Sequence, residues 1–338
     1  MLEIMEPLRI VAIGGGTGLS SLLHGLKRYA KDPQEAEITA VVTVTDDGGS
    51  SGRLRREFEV LPPGDIRNCM VALSEDEGLL SKLFQYRFSE GKGLKGHSFG
   101  NLFLTALTNL TGDFAKAVKV SSEVLASLGR IYPATESNVI LEAELENGRI
   151  VTGESKISKS RSRIKWIRLK PRGCKPLPET LEAIQRADLI TFGPGSLFTS
   201  LIPNVLVQGI PEAIRRSRAL KAYYVNLMWQ PGETIGFRAS DHVEAIHRHA
   251  GGGLFDVVVV NTRGITPRQR RKYAAEDVQS VVNDVVRLSE MGLQVQAADL
   301  LAEGDIVRHD SRVAAEIAME LARRGRAARR KVRVVGER

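Results

Sequence analysis

The chain of 338 residues has little of several features that mark specialised classes of protein. It contains only two cysteines, Cys69 and Cys174, which are too few for a disulfide framework and favour a reducing compartment. No apolar run approaches the ~20 residues that a membrane-spanning helix needs. Residues 1–7 contain two glutamates and no basic residue, so they do not resemble a secretory signal. These absences predict a cytoplasmic protein with no membrane span.

An excess of charge of one sign is also missing from most of the chain, although the formal net charge is +8. Residues 322–338 carry a net charge of +7 and residues 155–178 a net charge of +9, so the remainder carries −8. A diffuse basic surface for nucleic acid is therefore not implied. We expect the basic C-terminal tail 322–338 to be a solvated extension outside any site. Residues 155–178 are either a solvated, mobile segment or a docking site for an anion or partner.

The hydrophobic pattern predicts an α/β fold with a mainly parallel sheet. A hydrophobic content of 42% with 26% charged residues excludes a disordered chain. Short apolar runs typical of buried strands alternate with amphipathic helical segments. The predicted strands are Leu8–Ile13, Ile38–Val44, Asp188–Phe192, Ala222–Asn226 and Phe255–Val260, and Asn147-Gly148 predicts a hairpin. We expect one domain, residues 1–321, with a hairpin excursion at about 137–178.

A glycine-rich segment joins the first strand to the first helix. It consists of Gly14, Gly15, Gly16, Thr17 and Gly18. In this position the backbone can approach a phosphate closely, and the helix N-terminus offers free N–H groups. Ser21 stands where the full dinucleotide fingerprint has its third glycine, and no Gly-Lys-Ser/Thr follows as in a P-loop. We interpret the segment as a phosphate-binding loop; the alternative is a tight turn without a ligand.

Two acidic residues, Asp46 and Asp47, follow the second strand. They fall at the carboxyl edge of the sheet, where open α/β sheets bind ligands. One acid could accept a hydrogen bond from a ribose hydroxyl, and the pair could hold Mg²⁺. The alternative is an ordinary Asp-Gly turn.

Two later segments are also candidates for the site. Gly193, Gly195 and Ser196 end another strand, which suggests a ligand that spans two strand edges. His97 and Asn101 open a helix that Ser98 is suited to cap. They could reach the same site, or they could belong to a capped helix with a solvent-facing histidine. No nucleophile–base arrangement can be assembled from the sequence, and the spacing of the three histidines at 242–249 does not favour a metal site.

Six motifs together resemble the CofD-like family, and closely its bacterial YvcK (gluconeogenesis factor) branch. They occur in order over residues 9–320, and Trp229 stands where most members carry threonine. The motifs are Gly14-Gly-Gly-Thr-Gly18, Asp46-Asp-Gly-Gly-Ser-Ser-Gly-Arg-Leu54, Gly64-Asp65-Ile-Arg67, Gly96-His-Ser-Phe-Gly-Asn101, Gly193-Pro-Gly-Ser-Leu-Phe198 and Gln230-Pro-Gly-Glu-Thr234.

The resemblance implies a Rossmann-like α/β/α fold and two possible functions. The bacterial branch resembles regulatory binders of UDP-sugars such as UDP-N-acetylglucosamine, linked to carbon metabolism, cell-wall synthesis and cell shape. The transferase branch moves a phospholactyl group from a nucleotide diphosphate donor to a deazaflavin alcohol with Mg²⁺. By resemblance, Tyr273 and Arg308 contact the nucleotide sugar. We expect the regulatory binder, a homo-oligomer with possible cell-wall synthesis partners, and keep the Mg²⁺-dependent transferase, with Asp46 and Asp47 as metal ligands, as the alternative.

Overall fold

A seven-stranded parallel sheet forms the centre of the computed structural model, which describes residues 6–75, 78–160 and 162–336, and the side chains of these residues as far as 330. The strand order is β10-β9-β8-β7-β1-β2-β3. The strands are β1 (Leu8–Gly14), β2 (Ala36–Val42), β3 (Arg130–Pro133), β7 (Leu189–Phe192), β8 (Leu220–Tyr224), β9 (Val257–Asn261) and β10 (Gln294–Ala298). All five predicted strands are present, and β3 and β10, at the two edges, were not predicted.

A second, three-stranded antiparallel sheet is formed by the predicted excursion. Its order is β5-β4-β6, and β4 pairs with both neighbours. Its strands are β4 (Ile140–Leu145), β5 (Ile150–Thr152) and β6 (Ile164–Lys170). The turn at Asn147 and Gly148 lies between β4 and β5, as the hairpin prediction requires.

Helices flank the parallel sheet and complete the layers. They are α1 (Gly16–Ala30), α2 (Gly49–Phe58), α3 (Gly64–Leu73), α4 (Leu79–Gln85), α5 (Phe99–Thr111), α6 (Phe114–Val124), α7 (Glu154–Ile157), α8 (Pro178–Arg186), α9 (Ile202–Val205), α10 (Ile210–Arg216), α11 (Ala239–His249), α12 (Pro267–Ala274), α13 (Val285–Glu290) and α14 (Ser311–Gly336). A π-helical turn, Leu197–Leu201, precedes α9. The Rossmann-like α/β fold class is confirmed.

The amphipathic helix α1 buries one face against the sheet. Leu19, Leu22, Leu23 and Leu26 are fully buried, at a spacing that places them on one face of the helix. A Cβ on Gly25 would lie 1.9 Å from the carbonyl oxygen of Ser311, so α1 and α14 cross at a distance that only glycine permits. Cys69 is fully buried in α3, as expected for a core residue.

Residues 164–170 of the basic segment 155–178 form the strand β6. Ile164, Ile167 and Leu169 are buried, while the basic residues between them form ion pairs with β4. Lys165 and Arg168 each lie 2.8 Å from the carboxylate of Glu144. Of the two alternatives for this segment, a solvated, mobile segment does not fit residues 164–170, because they form a strand whose charges are compensated across the sheet. Arg161 lies outside the described residues.

The first half of the basic tail is not a solvated extension, contrary to the prediction. Helix α14 continues from the core through Gly325, whose position is too close to the carbonyl oxygen of Asp188 for any side chain. Arg326 and Arg329 both form ion pairs with Asp188, whose side chain is only 4% exposed. Residues 322–330 thus pack against the amino end of β7 and neutralise the buried carboxylate of Asp188 there. The predicted boundary at residue 321 between the domain and the C-terminal tail stays a prediction.

No single helix of the described ranges is both long and apolar enough to cross a membrane. Two consecutive helical segments would together be long and apolar enough for a span, but they are bent by 74° relative to each other. They are Leu197–Val205 and Ile210–Arg216.

Candidate functional site

The predicted phosphate loop has the backbone of an anion site. Helix α1 begins at Gly16, and no side chain caps it. Gly16 has a φ of +62°, a region that strongly favours glycine. The N–H of Gly16 points to the carboxylate of Asp65, which accepts it. The Gly16 N–H is thus engaged, and the later amides of the first turn, together with the positive end of the helix dipole, are left for an acceptor.

The two glycine-rich loops lie directly against each other. A Cβ on Gly18 would lie 2.3 Å from the carbonyl oxygen of Pro194 and 2.9 Å from the Cα of Gly195. Both loops end neighbouring strands, because β1 pairs with β7. The sequence prediction that a ligand meets both strand ends therefore has the required geometry.

A cavity of about 460 Å³ opens at this junction. It lies at the carboxyl edge of the sheet, between the two loops, the chain after β8 and the chain before α14. Eight of the residues predicted from the sequence line it: Gly15, Gly16, Thr17, Gly18, Gly195, Ser196, Tyr273 and Arg308.

Tyr273 and Arg308 come from different elements and are tied together at the mouth of the cavity. The Tyr273 hydroxyl, on α12, accepts a hydrogen bond of 3.0 Å from the N–H of Val307. This bond fixes the phenol ring and places the next residue, Arg308, beside it. Within residues 6–75, 78–160 and 162–336 the Arg308 guanidinium has no hydrogen-bond or ion-pair partner. An anionic ligand could therefore use all of its donors.

The remaining predicted glycines support the site without lining it. The carbonyl oxygen of Gly14 accepts hydrogen bonds from Thr43 and Asn204, and the N–H of Gly193 donates to Ile13. These contacts join the strands beneath the cavity. Gly14 and Gly193 thus have a structural part in holding the two loops.

The two predicted acids, Asp46 and Asp47, accept hydrogen bonds from different parts of the chain. Oδ1 of Asp46 accepts a hydrogen bond from the N–H of Gly48 at 2.8 Å. This bond forms the ordinary Asp-Gly turn that the sequence analysis gave as the alternative. Oδ1 of Asp47 accepts from the N–H of Ser155 at 2.8 Å, at the start of α7. The structure therefore does not present Asp46 and Asp47 side by side to the cavity, and neither lines it.

Asp65 and Glu154 are the acids that line the cavity, and sequence reasoning did not select them. Burial and the nearby charge of Asp46 raise the pKa of Asp65 to about 7. Burial raises the pKa of Glu154 to about 9, with contributions from Asp65 and Asp46. Asp65 lay in a motif quoted for the family, but nothing in the sequence linked Glu154 to it. At neutral pH Glu154 is protonated, so the cavity carries less negative charge than its composition suggests.

A chain of amides positions the second loop from the other side. Asn226 donates to Gln230 at 2.9 Å, and Gln230 donates to the Ser196 hydroxyl at 2.7 Å. Behind them, the buried carboxylate of Glu233 accepts from the N–H of Phe198 and the hydroxyl of Thr199. Burial raises the pKa of Glu233 to about 7. The motif from Gln230 to Thr234 thus fixes the loop that holds Ser196.

The segment that opens α5 packs beside the site rather than in it. Ser98 caps the helix by accepting from the N–H of Asn101 at 3.2 Å, as predicted. Asn101 donates to Ser51 at 3.3 Å, and its Oδ1 is buried without a partner in the described part of the chain. His97 is buried, not solvent-facing, and its Nδ1 lies 3.0 Å from the Ser50 hydroxyl. Both residues support α2 rather than the cavity wall.

The histidines of α11 serve packing. His249 accepts from the N–H of Ile167 at 3.0 Å and stacks on Trp166, which attaches β6 to the main body. Burial lowers the pKa of His249 to about 4. Over the ranges that the structure describes, no three His, Cys, Asp or Glu side chains are grouped to hold a metal ion.

Comparison with known proteins identifies the family of the chain. A family model described as 2-phospho-L-lactate transferase CofD matches residues 10–301. The chain is 48% identical over 317 residues to the gluconeogenesis factor of Halalkalibacterium halodurans, covering 94% of this chain and 97% of that protein. It is 48% identical over 314 residues to the gluconeogenesis factor of Bacillus subtilis, covering 93% and 98%.

A solved structure has the same fold. The crystal structure of a member of the UPF0052 family from Bacillus halodurans superposes with a TM-score of 0.89 at 48% identity, covering 93% of this chain and 100% of that chain. The resemblance read from the six motifs is confirmed. The chain belongs to the CofD family and is similar over most of its length to the bacterial gluconeogenesis factors.

Proposed function

We propose that the cavity binds a nucleotide sugar of the UDP-N-acetylglucosamine type and that the protein is a regulator rather than an enzyme. The observation that carries this proposal is that one cavity contains both glycine-rich loops together with Tyr273 and Arg308. Free amides at the start of α1 suit a diphosphate. The relatives' name supports a link to carbon metabolism, while the proposed roles in cell-wall synthesis and cell shape, through a partner protein, rest on the family resemblance alone.

The wall opposite the glycine loops suits a base or a sugar ring. Trp229 lines the cavity, and its Nε1 donates to the carbonyl oxygen of Phe237 at 3.0 Å. Because the polar atoms of Trp229 and Tyr273 are both bonded to the backbone, the two rings offer chiefly their apolar surface to a ligand. No activated nucleophile is needed for this function, and the Ser196 hydroxyl accepts from an amide, which cannot take its proton.

Calorimetry with UDP-N-acetylglucosamine tests the proposal. We expect binding by the wild-type protein, and a loss of about tenfold or more in Arg308→Gln, because a charge-assisted pair with a phosphate is removed. Arg56→Gln is the matched control, since Arg56 is exposed and does not line the cavity. Absence of binding at millimolar ligand would reject the proposal.

Fluorescence gives a second, site-specific readout. The chain has two tryptophans, so the Trp166→Phe variant reports on Trp229 alone. We expect UDP-N-acetylglucosamine to change the Trp229 emission with the same saturation curve as the calorimetric titration. Binding heat without any change in emission would place the ligand elsewhere.

The grouping of carboxylates beside the glycine loop favours the transferase as the second candidate. Asp46 lies close enough to Asp65 to raise its pKa, and Asp65 in turn reaches the N–H of Gly16. A Mg²⁺ ion usually takes one or two carboxylates together with phosphates. Asp46 and Asp65 fit that requirement better than Asp46 and Asp47, because the latter two face different neighbours. Bound there, Mg²⁺ would neutralise charge on the leaving nucleoside phosphate.

In this alternative the chain itself would mainly position the reactants. The glycine loops would orient the nucleotide diphosphate donor, and an acceptor hydroxyl would attack the phosphoryl group as the nucleoside phosphate leaves. Product formation from a nucleotide-diphospho donor and a deazaflavin alcohol, lost in Asp46→Asn, would favour it. Good ligand binding without turnover would favour the regulator.

A further inference from the structure

A second cavity, of about 650 Å³, lies on the other side of the N-terminal half of α1. Its walls are one face of α1, one face of α3, the helix α4 and the start of α14. Thr17, Ser20 and His24 follow one another on α1 at helical spacing, beside the face of the buried leucines. These three polar side chains face an open, concave space, whereas Lys27, one turn further along, is buried.

Among the described residues, the lining of the second cavity carries positive charge and no carboxylate. Its cations are Arg67, Lys82 and Arg308, with the histidine His24 beside them, and Lys27, which also lines it, already has a partner. The rest of the lining is mainly hydroxyl and amide side chains. A basic concave site with many neutral donors is suited to a compact anion with several acceptor oxygens.

Arg67 is the buried cation of this cavity. It is only 9% exposed, and it makes no ion pair within the described chain. Its two terminal nitrogens donate to neutral oxygens, Ser98 Oγ at 2.5 Å and Asn68 Oδ1 at 2.6 Å. Its Nε is buried and has no partner in the part of the chain that is described. A buried guanidinium with an unused donor is costly unless a ligand supplies an acceptor.

The second cavity adjoins the first. Thr17, Ser21 and Arg308 line both. Arg308 is exposed at the border and without a partner in the described residues, so its guanidinium can face either space. A ligand in one cavity therefore changes the electrostatic environment of the other.

We propose that this second cavity is an anion site for a compact phosphate-bearing metabolite, held by Arg67 and Lys82 and shared at its border by Arg308. Arg67 forms the floor, and Lys82, which is exposed on α4, forms the rim. Occupation of the site by an anion gives Arg308 a partner and alters its availability to the first cavity. Reciprocal coupling between the two ligands follows from that shared residue.

Calorimetric titration with inorganic pyrophosphate at constant ionic strength tests the site. We expect wild-type protein to bind pyrophosphate, and Lys82→Glu to bind it about tenfold more weakly, which corresponds to about 1.4 kcal/mol. Lys92→Glu is the matched control, because Lys92 is equally exposed but lies on a loop outside both cavities. Arg67→Gln should show the larger loss, and its folding is checked by circular dichroism.

A further variant separates the two cavities. Ser196 lines the first cavity and not the second, so Ser196→Asp places a carboxylate in the first cavity and acts on the second only indirectly, through the shared Arg308. Pyrophosphate affinity that survives in Ser196→Asp and falls in Lys82→Glu supports the proposal. Absence of binding to the wild type at millimolar pyrophosphate overturns it. Binding that is lost in Ser196→Asp and retained in Lys82→Glu also overturns it, because the pyrophosphate then occupies the glycine loops. Neither result depends on whether a nucleotide sugar binds.

Discussion

The N–H of Ser155 donates a hydrogen bond of 2.8 Å to Oδ1 of Asp47, across 108 residues of sequence. The other oxygen of the same carboxylate faces Gly153, where an added Cβ would lie 2.2 Å from it. Gly153 has a φ of +98°, so only glycine is suited to the position. Asp47 thereby fixes the small sheet, and with it Glu154, at the edge of the first cavity.

Removing the Asp47 carboxylate should loosen the small sheet. In Asp47→Ala we expect the free energy of unfolding to fall by roughly 1–2 kcal/mol, because the N–H of Ser155 loses its acceptor. Hydrogen–deuterium exchange should rise in residues 140–170. Asp47→Asn keeps an acceptor oxygen and should show a smaller effect. Equal exchange in wild type and Asp47→Ala would contradict this assignment.

The raised carboxyl pKa values predict that stability falls as pH rises. The folded protein holds a proton on Glu154 up to about pH 9, whereas the unfolded chain releases it near pH 4.5. Between these values the folded state binds more protons than the unfolded state, so the free energy of unfolding decreases with pH. The slope for one such group is about 1.4 kcal/mol per pH unit.

Urea unfolding at pH 5.5, 7 and 8.5 measures this slope. Asp65 and Glu233 add to it below about pH 7. Glu154→Gln should reduce the slope, most clearly between pH 7 and 8.5, where Glu154 alone of these three still holds its proton. An unchanged slope in Glu154→Gln would show that Glu154 is ionised in the folded protein.

The contact between the two glycine loops predicts that Gly18→Ala is severe. Its Cβ would lie 2.3 Å from a backbone carbonyl oxygen of Pro194, and neither loop can yield without moving a strand end. We expect a loss of roughly 1–3 kcal/mol in the free energy of unfolding. Nucleotide-sugar affinity should fall with it. Gly253→Ala is the control, since no atom lies within 4 Å of its Cβ position.

The ion pairs at Asp188 predict a structural role for Arg326. In Arg326→Gln the buried carboxylate retains Arg329 and the N–H of Arg9, so we expect a loss of roughly 2 kcal/mol rather than unfolding. Nucleotide-sugar affinity should not change, because Asp188 lies at the opposite end of β7 from the glycine loop. Thermal and urea denaturation measure the effect.

Arg330→Gln, on the exposed side of α14, is the matched control and should leave stability unchanged. Equal stability of Arg326→Gln and Arg330→Gln would restore the original interpretation of residues 322–330 as a solvated extension.

The sequence predicts the central strands well because they are short runs of buried apolar residues. It does not reveal β3 and β10, because edge strands such as Gln294–Ala298 are half-exposed and lack that composition. Strand β6 alternates only from Ile167 to Lys170, because the buried Ile164 and Ile167 are three residues apart, and its basic residues further obscure the pattern. Helix α2 begins with Gly49 and two serines, which are typical of a loop.

The site is predictable where it depends on local backbone and not where it depends on distant contacts. The loop from Gly15 to Gly18 is visible because strand, glycines and helix are adjacent in sequence. Glu154 has no local signal, because its place in the cavity depends on distant contacts such as the one between Asp47 and the N–H of Ser155. Asp47 itself was predicted to bind the ligand, but its carboxylate accepts the hydrogen bond from the N–H of Ser155 instead.

The position of β1 in the sheet has a consequence for biosynthesis. β1 is translated first, yet it lies between β2 and β7. Its second edge can be paired only after residue 192 has left the ribosome, and α14 packs against the same strands later still. A nascent chain that stops before β7 therefore exposes an unpaired apolar strand edge, which makes this interval of translation the one most prone to aggregation.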